Sequence, residues 1–111
     1  TVVSYAKRVS VLGTEYRIKC RDMHDENMDG YCDYTNHEIC IRSDNANNVS
    51  NFEALQKKSL RHELVHAFLA ESGLQANFQH FEEFGHEETM VDWIAIQLPK
   101  IVAACKDVGC L

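Results

Sequence analysis

Apolar and polar residues alternate in the first forty positions of the chain and recur every three to four residues in the second half. Strands are therefore expected first and helices after them. Arg8-Val9-Ser10-Val11-Leu12 and Glu15-Tyr16-Arg17-Ile18-Lys19-Cys20 both alternate, and Gly13-Thr14 between them reads as a two-residue turn. This predicts a β-hairpin with Tyr16, Ile18 and Cys20 facing inward. A second hairpin is predicted from Gly30–Tyr34 and Glu38–Arg42, joined by Thr35-Asn36-His37, with Ile39 and Ile41 on one face. Together these make about four short antiparallel strands.

After a polar connector from Ser43 to Ser50, Ser50 and Glu53 form a capping box, Ser50 being the N-cap. The helix it opens is expected to run from about Asn51 to Ser72 and to stop at Gly73. Its buried stripe is expected at Leu60, Leu64, Ala67, Phe68 and Leu69. Leu74 to Gly85 reads as a loop whose three phenylalanines, Phe78, Phe81 and Phe84, anchor it to the core or cover a cleft. A second helix begins at His86 or Glu87 and runs to Leu98, where Pro99 ends or kinks it, and a short last helix spans Lys100 to Asp107. The expectation is one α+β domain over residues 1–111, with a small antiparallel N-terminal sheet packed on the first long helix and a C-terminal helix pair.

Composition narrows the function. The net charge is −6 over 111 residues, which argues against nucleic-acid binding on a basic surface. The one basic cluster, Lys57-Lys58 with Arg61, reads as the solvated side of the first helix. No run of 18 apolar residues is present, so no membrane span is expected, and Thr1–Tyr5 does not open a secretion leader. Five cysteines (Cys20, Cys32, Cys40, Cys105, Cys110) include no Cys-x-x-Cys pair. Reduced thiols in a cytoplasm are expected. Asp25-x-Asn27-x-Asp29-Gly30 matches the opening of a calcium loop. Asn36 occupies the twelfth position, where a bidentate glutamate belongs, and the flanks read as strand, so a solvated turn is the favoured reading. His24 and His37 are read as solvated loop histidines.

The chemistry concentrates in Arg61-His62-Glu63-Leu64-Val65-His66-Ala67-Phe68. His62 and His66 are four residues apart and project from one helix face, so two neutral imidazoles reach a single Zn²⁺. Glu63 points about 100° round the helix, poorly placed as a third ligand but well placed as a general base toward an attacking water. Chance matches to His-Glu-x-x-His fall in loops as often as on helices. Here Leu64 and Val65 embed the motif, and two inward histidines with nothing to bind would leave ring nitrogens to be satisfied some other way.

A catalytic zinc site takes three protein ligands. The second helix offers Glu88-x-x-x-Asp92, two carboxylates on one face. Glu88 is the favoured third ligand, and Asp92 one turn on is placed to accept the other N–H of a ligating histidine. His86, which would complete an all-histidine site, is the main competitor, and Glu87 is adjacent.

His62-Glu63-Leu64-Val65-His66 followed by Glu88-x-x-x-Asp92-Trp93-Ile94-Ala95 resembles the gluzincin pattern. More closely, it is similar to small phage- and mobile-element-associated bacterial metallopeptidases of the ImmA/IrrE type. The resemblance covers about Ser50 to Pro99 and is specific at its two motifs. It implies a minimal zincin-like fold, a bacterial or phage-encoded protein, and cleavage of a repressor or other regulator. The expected reaction is zinc-dependent peptide hydrolysis, with His62, His66 and Glu88 on the metal and Glu63 moving the proton. An extended peptide would pair with an edge strand, and Tyr31, Tyr34 or His80 would stabilise the oxyanion. The competing readings are a non-catalytic module that zinc stabilises and a metal-free interaction protein with both histidines in its core. Glu63 argues against the first, since a structural site needs no base beside its histidine.

Overall fold

The computed structural model describes residues 7–73, 87–107 and 109–111. These form four strands, β1 (Arg8–Val11), β2 (Thr14–Arg21), β3 (Gly30–Asp33) and β4 (Glu38–Arg42), then two helices, α1 (Phe52–Glu71) and α2 (Glu88–Asp107). The architecture is α+β. The expected loop from Leu74 to Gly85, His80 and His86 lie outside the described residues.

The sheet order is β1-β2-β4-β3, and the sheet is mixed rather than antiparallel throughout. Both hairpins form, with Val9 opposite Tyr16 and Cys32 opposite Ile39. Between them, however, β4 inserts parallel to β2, setting Ile18 opposite Ile39 and Cys20 opposite Ile41. The reason lies in β4, where Ile39, Cys40, Ile41 and Arg42 are all buried. A strand covered on both faces belongs in a sheet interior, and β3 is left at the edge. The first turn uses Leu12 and Gly13, at φ 50° and 90°, one residue earlier than Gly13-Thr14. Such a turn needs positive φ at both central residues and favours glycine at the second, which places Gly13 there. Tyr16 and Ile18 are buried as expected, while Cys20 is half-buried.

α1 starts one residue later than the capping box implied. Asn51, not Ser50, is the N-cap, its Oδ1 accepting from the Ala54 N–H at 3.2 Å, and Glu53 pairs with Lys57 instead. The buried stripe also differs: Phe52, Gln56, Ser59, Glu63 and Ala67 lie on the sheet. Leu60 and Leu64 pack half-buried beside a core of Val11, Tyr16, Ile39 and Ala67, while Phe68 is exposed. The sheet-facing stripe is thus rotated toward polar residues that a hydrophobicity pattern passes over. Gln56 donates to the Arg42 carbonyl at 3.1 Å, and the Tyr16 hydroxyl donates to Glu71 at 2.8 Å.

α2 is one continuous helix with Pro99 inside it, rather than a helix pair. Proline lacks the N–H that would bond the carbonyl four residues back. That carbonyl belongs to Ala95, and it accepts from Arg61 Nε of α1 at 2.6 Å. Val91 and Ala95 of α2 are fully buried. Among the described residues no helix is long and apolar enough to cross a membrane.

Candidate metal centre

α1 and α2 meet as an antiparallel pair whose contacts ascend in rungs. His66 Nε2 lies 3.0 Å from Glu88 Oε1, and His62 Nε2 lies 3.0 Å from Glu88 Oε2. One turn along, His62 Nδ1 lies 3.3 Å from Asp92 Oδ1, and Lys58 Nζ donates to the same oxygen at 2.8 Å. The imidazoles of His62 and His66 stand edge to face, 5.0 Å between centroids. One helix therefore supplies two imidazoles by its periodicity, and the antiparallel partner brings a carboxylate across to both.

The three donor atoms of His62, His66 and Glu88 lie within 4.8 Å of one another. Ligands about 2.1 Å from a tetrahedral ion stand roughly 3.4 Å apart; here each imidazole nitrogen lies 3.0 Å from a different oxygen of Glu88, so the carboxylate bridges the two rings. Two imidazoles and one carboxylate form a donor set that could hold a divalent metal ion. Both histidine side chains are mostly buried, at 14% and 15% exposure, whereas Glu88 is 74% exposed. Glu87 flanks the helix, and its carbonyl accepts from the Val91 N–H at 3.0 Å. Among the described residues the donor group comprises His62, His66 and Glu88, without Glu87.

Glu63 belongs to the sheet-facing stripe yet also lines a cleft of about 550 Å³. Burial pushes its carboxyl up to about 7; the Glu88 charge adds to the rise, and His62 and Lys58 oppose it. The cleft is walled by Lys58, Ser59, His62 and Glu63 from α1 and by Glu88 and Asp92 from α2. Asn27, Met28 and Asp29, leading into Gly30 of β3, close the third side. A Cβ at Gly30 would stand 2.7 Å from the Cys40 carbonyl oxygen and 3.5 Å from Glu63 Cγ, so glycine lets β3 approach both β4 and Glu63. Asp92 is held below the usual carboxylate range, first by the Lys58 hydrogen bond and further by His62.

Several residues take places other than those expected. Lys58 and Arg61 are not a solvated side: both are half-buried and reach across to α2. The signal for Lys58 was in the spacing, since 58, 62 and 66 share one helical face. Tyr31 does not line the cleft; it donates to Glu38 at 3.2 Å and stacks under Arg21. Tyr34 is exposed in the β3–β4 turn, also away from the cleft. The Asp25–Gly30 loop is organised by the buried guanidinium of Arg42, which sequence patterning missed. Arg42 donates to the Met23 carbonyl at 2.6 Å and the Glu26 carbonyl at 3.3 Å, and pairs with Asp44 at 3.2 Å and Asp29 at 3.5 Å. His24 and His37 are exposed and away from the cleft, His24 against Asp22 and Asp25, His37 against the Tyr16 ring.

No family model matches the chain, and comparison with curated proteins and with solved structures found no match.

Proposed function

We propose that the protein is a zinc-dependent metallopeptidase that hydrolyses peptide bonds. The observation that carries this reading is the convergence of His62, His66 and Glu88, with the buried Glu63 lining a cleft together with His62 and Glu88. His62, His66 and Glu88 would hold the zinc ion, which would supply Lewis acidity toward a carbonyl and a water. Glu63 accepts the proton of the attacking water and delivers it to the leaving nitrogen. Asp92, beside His62 Nδ1, holds that ring in the tautomer that leaves Nε2 free to ligate, and Lys58 keeps Asp92 ionised.

The substrate lies along the outer edge of β3, which among the described residues pairs with β4 alone and begins at the cleft-lining Gly30. Backbone pairing there holds an extended peptide and positions its scissile bond over the donor set. The resemblance to small phage- and mobile-element-associated metallopeptidases makes a regulatory protein the first substrate class to assay.

The decisive experiment pairs elemental analysis with a Glu63→Gln variant. Protein purified without added metal carries about one zinc per chain; Glu63→Gln keeps that zinc and loses hydrolysis by about 10²- to 10⁴-fold. Hydrolysis by Glu63→Gln at the parent rate ends the mechanism. Zinc retained by a parent that cleaves no peptide favours the non-catalytic module.

A further inference from the structure

Pro99 and Arg61 are chemically linked, and the linkage bears on where Glu88 stands. Inside a helix, proline leaves the carbonyl four residues back without its N–H partner. At Ala95 that carbonyl faces α1 in a fully buried position, where an unbonded acceptor is costly. Arg61, adjacent in sequence to His62, donates its Nε–H to it at 2.6 Å. An ordinary helical carbonyl already bonded by its own N–H would present a weaker target. Proline thus turns one backbone oxygen of α2 into a specific docking point for a side chain of α1.

Ala95 lies seven residues, about two turns, beyond Glu88 and on the same side of α2. A helix is stiff over that length, so fixing the Ala95 carbonyl fixes the slide and rotation of the whole segment. Lys58–Asp92 forms the neighbouring rung but joins two partly exposed side-chain tips. The Arg61 contact grips backbone, and backbone carries the register.

We infer that Arg61 is a positioning residue, which through the Ala95 carbonyl freed by Pro99 sets the register of α2 so that Glu88 reaches His62 and His66 together. This rests on the reading of those three residues as a zinc site. Arg61 is outside the donor group and the cleft lining, and it acts through the helix pair.

The test is a double-mutant cycle of Arg61→Met and Pro99→Ala, read by zinc affinity in chelator competition and by the visible spectrum of the cobalt-loaded protein. Arg61→Met is expected to weaken zinc binding by about tenfold or more and to alter the cobalt spectrum. Pro99→Ala returns an N–H to the Ala95 carbonyl, so adding Arg61→Met to Pro99→Ala is expected to cost markedly less affinity than it does alone. Parent affinity in Arg61→Met would overturn the inference, as would an equal loss in both backgrounds. Thermal unfolding of the four metal-free proteins is read in parallel. Non-additive midpoints support the Arg61–Pro99 linkage, and additive midpoints overturn it. A parent that binds no zinc sinks the metal site itself, an outcome distinct from either arm of the cycle.

Discussion

Gly30→Ala tests whether the edge strand is held against its neighbour as closely as the cleft requires. Gly30 is not among the glycines in the left-handed region, so an alanine there suffers from its surroundings rather than from backbone conformation. Its Cβ would meet the Cys40 carbonyl oxygen at 2.7 Å, and this is a backbone atom of β4 with no side-chain freedom to retreat. Relieving the contact to about 3.2 Å means displacing β3 by roughly 0.5 Å, and overpacking of this kind costs about 1–3 kcal/mol. Against this, alanine restricts the unfolded chain and returns about 0.4–1 kcal/mol. The contact wins, leaving a net loss of about 1–2 kcal/mol. For a domain of this size that corresponds to a fall in Tm of roughly 4–8 °C. Circular dichroism melts and urea titrations of parent and variant measure it. Glu63 Cγ at 3.5 Å is in ordinary van der Waals range, so the donor atoms on the helices stay in place and zinc binding is expected to persist. Hydrolysis should fall, because the strand proposed to hold the substrate has moved. A Tm equal to or above the parent's would refute the close-approach argument.

Arg42→Met removes the cation at the centre of the loop before β3. It leaves the Met23 carbonyl and the Asp44 carboxylate without their guanidinium partner, and a loss of about 3 kcal/mol in chemical denaturation is expected. A loss under about 1 kcal/mol would show that this loop holds its shape by other contacts. Asp33 accepts from Asn36 and Thr35 in the β3–β4 turn, and these bonds, the Asn36 side chain first, draw its pKa from 3.8 down to about 2. A carboxylate depressed on folding contributes stability above its unfolded pKa and loses it as pH falls through the folded one. Asp33→Ala should therefore melt below the parent at pH 6 and converge with it near pH 2; a gap constant with pH would remove the charge from the explanation.

What the sequence alone determined is what short-range geometry controls. Four residues make just over one helical turn, so the common face of His62 and His66 followed from spacing, as did that of Glu88 and Asp92. Alternation around Gly13, and around the Thr35-Asn36-His37 turn, specified two hairpins, because each pairs segments that a few residues connect. The turn and cap slipped by one residue because Leu12-Gly13 and Asn51 compete with equally plausible neighbours.

Only tertiary structure decided how those local pieces meet. Parallel insertion of β4 beside β2 joins residues about twenty apart, and no local pattern encodes which strand edge is chosen; burial on both faces of β4 chose it. Glu63 sits on the sheet-facing stripe because α1 is rotated to set Gln56 and Ser59 inward, a packing result that no hydrophobic period announces. The distance from Glu88 to the two imidazoles depends on the register of two helices separated by residues 72–87. Pro99 read locally as a break, yet α2 runs through it because the orphaned Ala95 carbonyl finds a donor on the neighbouring helix. Spacing determines which side chains share a face; long-range packing determines what that face confronts.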